Sequence, residues 1–128
     1  MLVASLNDVD QEMPEPQGHT IGFIRSQEQC DAVVKDLLVA GIPGASITIL
    51  SGDSGIRLFT RMMQGSLWGE AAENLLKDGV IALSHGDLVI MIEAENREQA
   101  LLIAKAAEHH DGHGFVYFGE LTDERLTK

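Results

Sequence analysis

The stretch His19-Thr20-Ile21-Gly22-Phe23-Ile24, then a helix opening at Ser26, then Ser46-Ile47-Thr48-Ile49-Leu50, decides the fold. It reads strand, helix, strand. The same order returns in the second half: Leu88-Val89-Ile90-Met91-Ile92, a helix opening after Asn96, and Phe115-Val116-Tyr117-Phe118. Two β-α-β units in a chain of 128 residues predict an α+β domain. The expected form is a ferredoxin-like β-α-β repeat with a four-stranded sheet and a helical insertion between the halves.

Both helices carry start and stop signals. Ser26 with Gln29 predicts a capping box, each side chain satisfying an orphan amide of the other. Cys30, Val33, Val34, Leu37 and Leu38 then recur at helical spacing, Gly41 ends the run, and Pro43 prevents its resumption. The second helix takes Asn96 as cap, with Gln99 three residues on. Ala100, Ile103, Ala104 and Ala107 form its stripe, His109 and His110 occupy its last turn, and Asp111-Gly112 closes it.

The strands of the second half are continuous apolar runs, which predicts a sheet covered on both faces. Two helices cover only one face of a four-stranded sheet. A second copy of the chain, packed sheet to sheet as a homodimer, is the preferred cover, and the middle segment is its rival. In that segment, residues 51–87, Ile56, Leu58, Phe59, Met62 and Met63 suggest one helix. Leu67, Trp68, Ala71, Ala72, Leu75 and Leu76 suggest another, and Gly79 leaves residues 80–83 open between a helix end and a short strand. Insertions of this length are commonly functional.

Length implies one domain. Residues 1–17 read as a flexible acidic arm: Asp8, Asp10, Glu12 and Glu15 lack basic partners, and Pro14 and Pro16 block regular structure. Leu2, Val3 and Leu6 could pack on a neighbour. Residues 18–128 form the domain, with the insertion at about 52–87. The formal net charge is −11, from 20 Asp plus Glu against 9 Lys plus Arg. That balance argues against nucleic-acid binding and against docking on anionic membranes. No run approaches the length of a membrane span, and the N-terminus lacks a secretory pattern. The single cysteine, Cys30, excludes an internal disulfide and reads as a small buried hydrophobe in a reducing compartment, so a cytoplasmic location is expected.

The leading candidate site is Gly52, Asp53, Ser54 and Gly55 after a strand, followed by Arg57 and Arg61. Small residues let backbone amides turn to an anion, and arginines four apart on one helix face could clamp it. The plainer reading is a capped loop with two solvated arginines, because the pattern matches neither a Walker loop nor a dinucleotide fingerprint. His109 and His113, in His109-His110-Asp111-Gly112-His113, are weak metal candidates. Adjacent histidines on a helix diverge, so no metal is expected. His85-Gly86-Asp87 reads as a turn entering a strand rather than as a catalytic pair, and Trp68 and Tyr117 as core or interface. No nucleophile beside a base is visible, so no catalytic residue and no cofactor are assigned.

The line Thr20-Ile21-Gly22-Phe23-Ile24-Arg25-Ser26, on through Cys30, Val33, Val34, Leu37, Leu38 and Gly41 to Ile47-Thr48-Ile49-Leu50, resembles the opening of small bacterial general-stress-protein domains. The closing His109-His110-Asp111-Gly112-His113-Gly114-Phe115-Val116-Tyr117-Phe118-Gly119-Glu120-Leu121-Thr122 is similar to the end of uncharacterised relatives. This resemblance implies a ferredoxin-like fold and an association with stress, and supplies no catalytic residues. A fainter one links Gly41-Ile42-Pro43-Gly44-Ala45-Ser46-Ile47-Thr48-Ile49-Leu50, then Gly52 and Gly55, to nitrogen-regulatory PII-like proteins, which implies a nucleotide at a subunit cleft. The helical, apolar middle and the lack of basic residues after the late glycine depart from that pattern. The leading expectation is a non-enzymatic, self-associating module that binds a small ligand or a protein partner in a stress or regulatory setting. A PII-like sensor of a nucleotide or other anion is the alternative, and a small dimeric α+β barrel enzyme a third.

Overall fold

The computed structural model describes residues 2–4, 17–64, 70–119 and 123–127. Strands form at β1 (Leu2–Ala4), β2 (His19–Ile24), β3 (Ile47–Leu50), β4 (Leu88–Glu93), β5 (His113–Phe118) and β6 (Asp123–Arg125). Helices form at α1 (Gln27–Val39), α2 (Gly52–Gln64), α3 (Glu70–Ser84) and α4 (Arg97–Glu108), with one 3-10 turn at Gly44–Ser46. The strands make one sheet in the order β1-β3-β4-β2-β5-β6. Every neighbouring pair is antiparallel except β1 and β3, which run parallel. The α+β class read from the sequence stands, with one more strand at each edge than expected.

The helices begin and end where the chemistry of the chain says. The Ser26 hydroxyl accepts from the Gln29 amide at 3.2 Å, and Asn96 Oδ1 accepts from the Gln99 amide at 2.8 Å. The reciprocal half of the box differs from expectation. Gln29 Oε1 accepts from the Ser26 hydroxyl, and Gln29 Nε2 reaches Asp111. Gln99 Oε1 accepts from the Glu95 amide at 2.7 Å, one residue before the cap. Gly41, at φ 94, supplies the left-handed residue that lets the Ile42 amide return to the Leu37 carbonyl and close α1.

Both faces of the sheet are covered within the chain. On one face α1 and α4 place Cys30, Val33, Leu37, Ala100, Ile103 and Ala107 over Ile47, Ile90 and Ile92. On the other, α2 and α3 place Leu58, Phe59, Met62, Leu75 and Leu83 over Ile21, Phe23, Val89, Met91 and Phe118. The continuous apolar runs are thus explained by the middle segment, the rival reading, and the argument for a sheet-to-sheet dimer loses its premise. The open question at residues 80–83 closes in favour of helix, since α3 runs unbroken through Gly79. Leu67 and Trp68 lie outside the described residues, as do residues 5–16 of the predicted arm; Leu2–Ala4, at the start of that arm, forms β1. No described helix is long and apolar enough to cross a membrane.

Candidate functional site

Strand register gathers the chemically interesting residues at one end of the sheet. Ile24 pairs with Leu88, Leu50 with Val89, and Phe23 with His113. The exits of β2 and β3 and the entries of β4 and β5 therefore lie side by side. Arg25, Ser51, Asp87 and Gly112 follow or precede those strand ends directly.

A bulge aims one of these residues. Between Ile21 and Phe23 the register of β2 against β5 shifts, so that β5 carries one extra residue. Phe115 belongs to the core under α1 and α4, and strict alternation would send His113 to that same face. The extra residue reverses it. His113 instead lies on the α3 side, its ring 5.7 Å from the ring of Phe23. Gly114 makes the bulge possible. Its φ is 68, and a Cβ there would lie 2.7 Å from the Phe23 ring.

His113 enters a cleft of about 260 Å³ between β5 and the last turns of α3. Phe23, Ile81 and Ala82 form its apolar wall. Asp78, His85, Asp87 and Arg125 supply its polar groups. His113 Nε2 is buried and has no hydrogen-bond partner among the described residues. The nearest carboxylate oxygen, Asp87 Oδ2, is 3.9 Å away, too far for a direct bond. Burial and the Arg25 guanidinium hold the His113 pKa below the ordinary histidine value, while the carboxylates of Asp87 and Asp78 pull the other way. The ring is thus neutral near pH 7, with one nitrogen able to accept. A wider groove of about 840 Å³ adjoins through Arg125, with Arg25 also in its lining.

The other candidates fall as follows. Gly52 opens α2, and Asp53 is exposed in its first turn. Ser54 is buried, and its hydroxyl accepts from Arg57 at 3.5 Å. Gly55 is buried too, for a packing reason: a Cβ there would lie 3.2 Å from the Leu50 carbonyl carbon. Arg57 and Arg61 are exposed on α2. The arrangement brings Ser54 and Arg57 together at a helix start and, among the described residues, adds no buried polar group in want of a partner. The histidine cluster is split: His109 caps α4, His110 bonds Asp36 at 2.8 Å, and His113 enters the cleft. Among the described residues no three His, Cys, Asp or Glu side chains are placed to hold a metal ion.

Sequence reading passed over His85 and Asp87 as a turn and took His113 only as a weak ligand. The bulge that joins them to α3 left a faint trace, the glycines flanking His113. No family model matches the chain, and no curated protein or solved structure matches it.

Proposed function

We propose that the chain is a non-enzymatic small-ligand-binding module whose site is the cleft at His113. The central strands β3, β4, β2 and β5, with crossovers α1 and α4, follow the β-α-β-β-α-β order of a ferredoxin-like core. In that reading α2 and α3 are the insertion, and their packing on the sheet creates one wall of the cleft.

The observation that carries the proposal is the orphaned His113 Nε2 facing Asp87 across 3.9 Å. A buried polar atom without a partner is costly, and a bound group that bonds it recovers that cost. Apolar walls with a few convergent polar groups are the general form of a small-molecule site. No thiol lines the cleft, since Cys30 belongs to the core on the opposite face of the sheet. A neutral histidine beside a carboxylate is also what a general base requires, and this pair carries the second reading, a small enzyme.

The test is NMR on a histidine-labelled chain titrated with pooled small polar metabolites. Compounds that bind move the His113 ring signals, and His113→Gln and Asp87→Asn each weaken the same compounds. A screen in which nothing moves those signals at millimolar concentration removes the site. Chemical conversion of a binding compound, lost in His113→Gln, moves the assignment to the enzyme.

A further inference from the structure

Resting on that binding-site reading, we propose that the cleft takes a small zwitterion of amino-acid size, its ammonium seated between Asp87 and His113 and its carboxylate turned to Arg125. The separation of His113 Nε2 and Asp87 Oδ2, 3.9 Å, is too long for a direct bond. It suits one shared atom placed about 2.8 Å from each. An ammonium nitrogen fills that place with N–H groups to spare. It donates to the carboxylate and to an unprotonated Nε2 together, whereas a hydroxyl bridges the pair only in the other tautomer, donating to Asp87 and accepting from Nε2–H.

The local field agrees. Asp78 and Asp87 both line the cleft, and α3 ends beside it with no basic residue in its last turn. The carbonyls of Ile81, Ala82 and Leu83 at that helix end accept from the amides of His85, Gly86 and Asp87, so the helix dipole adds only a little to the negative potential. A free anion would therefore be repelled from the inner part. Arg125, which lines both the cleft and the wider groove, supplies a guanidinium on the other side of the cleft; in the groove beyond, Arg25 stands with the carboxylates of Glu108 and Asp111. Among the described residues Arg125 engages only its Nε donor, to the Thr127 carbonyl. Its terminal nitrogens remain for a carboxylate, which a guanidinium binds through two parallel bonds. Within the cleft a cation alone leaves the Arg125 guanidinium unused, and an anion alone meets the carboxylates of Asp78 and Asp87. A molecule carrying both charges matches the two ends. The volume, about 260 Å³, lies below the usual range for drug-sized ligands and limits the occupant to a small one.

The full chain is screened by calorimetry against the common L-amino acids singly at millimolar concentration. Each compound that binds is compared with its decarboxylated amine and its des-amino acid. The expected result is an amino acid for which both partial analogues bind at least about tenfold more weakly. Asp87→Asn and Arg125→Met should each weaken it by about tenfold or more. Arg125 is exposed, so Arg125→Met keeps the test valid should Asp87→Asn fail to fold. An amine or acid that binds as well as its parent overturns the proposal, and so does the absence of any amino-acid binding. If other metabolites still move the His113 signals, the binding site stands and only its ligand class falls. If none do, both fall.

Discussion

A single glycine shows how local reading and tertiary packing part company. Gly79 stands inside α3, where glycine costs about 1 kcal/mol relative to alanine. Read locally it is a breaker, which is why residues 80–83 were open to a strand. The structure supplies the reason it is there: a Cβ at Gly79 would lie 2.1 Å from Phe59 Cε2, and Phe59 is fully buried. The helix forgoes propensity so that α2 and α3 can close on each other. Gly79→Ala should therefore destabilise the protein, by a net 1–2 kcal/mol or about that, because overpacking outweighs the gain in propensity. Urea unfolding measures it, and a stabilised variant would refute the close approach. Phe59→Leu in the same chain should recover part of the loss. Cys30 makes the opposite point, since its local reading was enough. Burial first, and Asp31 second, push the thiol up to about 11. Its thiolate is scarce at neutral pH, so iodoacetamide should label the native chain far more slowly than the urea-unfolded one. Equal rates would show that Cys30 is reached by solvent.

Elements were legible where their signals are periodic and capped. α1, α4 and the four central strands announce themselves through spacing, Ser26, Asn96 and Gly41. The edge strands β1 and β6 are three residues each, and Asp123-Glu124-Arg125 has no apolar alternation to read. β6 is marked instead by contacts remote in sequence: Arg97 grips Glu124 through two bonds of 2.7 and 2.9 Å, and Val116 pairs with Arg125. The candidate site was less legible still. Its components come from β2, α3, the entry to β4, β5 and β6, and a one-residue bulge decides where His113 points. No window of sequence contains that information. The insertion is the element with the largest consequence, because it turns a one-sided sheet into a two-sided one. Replacing residues 52–86 by a short turn would bare Ile21, Phe23, Val89, Met91 and Phe118. An apolar face of that extent should drive association, and sedimentation should find the shortened chain as dimers or larger species. A shortened chain that stays monomeric and folded would mean that α2 and α3 are not needed to cover the sheet.

At the scale of the molecule, the net charge of −11 and the His113 cleft pull stability in opposite directions as pH falls. Protonating surface carboxylates relieves self-repulsion and favours the folded state. His113 works against this. In the folded chain its pKa is lowered by burial and by Arg25, with Asp87 and Asp78 opposing. His85 and Arg125 also face it across the cleft. A depressed histidine pKa means that the unfolded chain binds the proton more readily. The His113 contribution is then fully present above the ordinary value of 6.5 and is lost as pH falls through the folded-state value. The two effects separate by comparison with His113→Gln, which keeps a polar side chain of similar reach and cannot titrate. Both proteins share every other charge, so the repulsion term cancels in their difference. Urea unfolding at neutral pH and at mildly acidic pH should show wild type losing stability relative to His113→Gln on acidification. A difference that does not change with pH would mean that His113 titrates alike in both states. A wild type that gains on the variant would mean that the carboxylates of Asp87 and Asp78 outweigh burial, and that the ring is charged in the cleft.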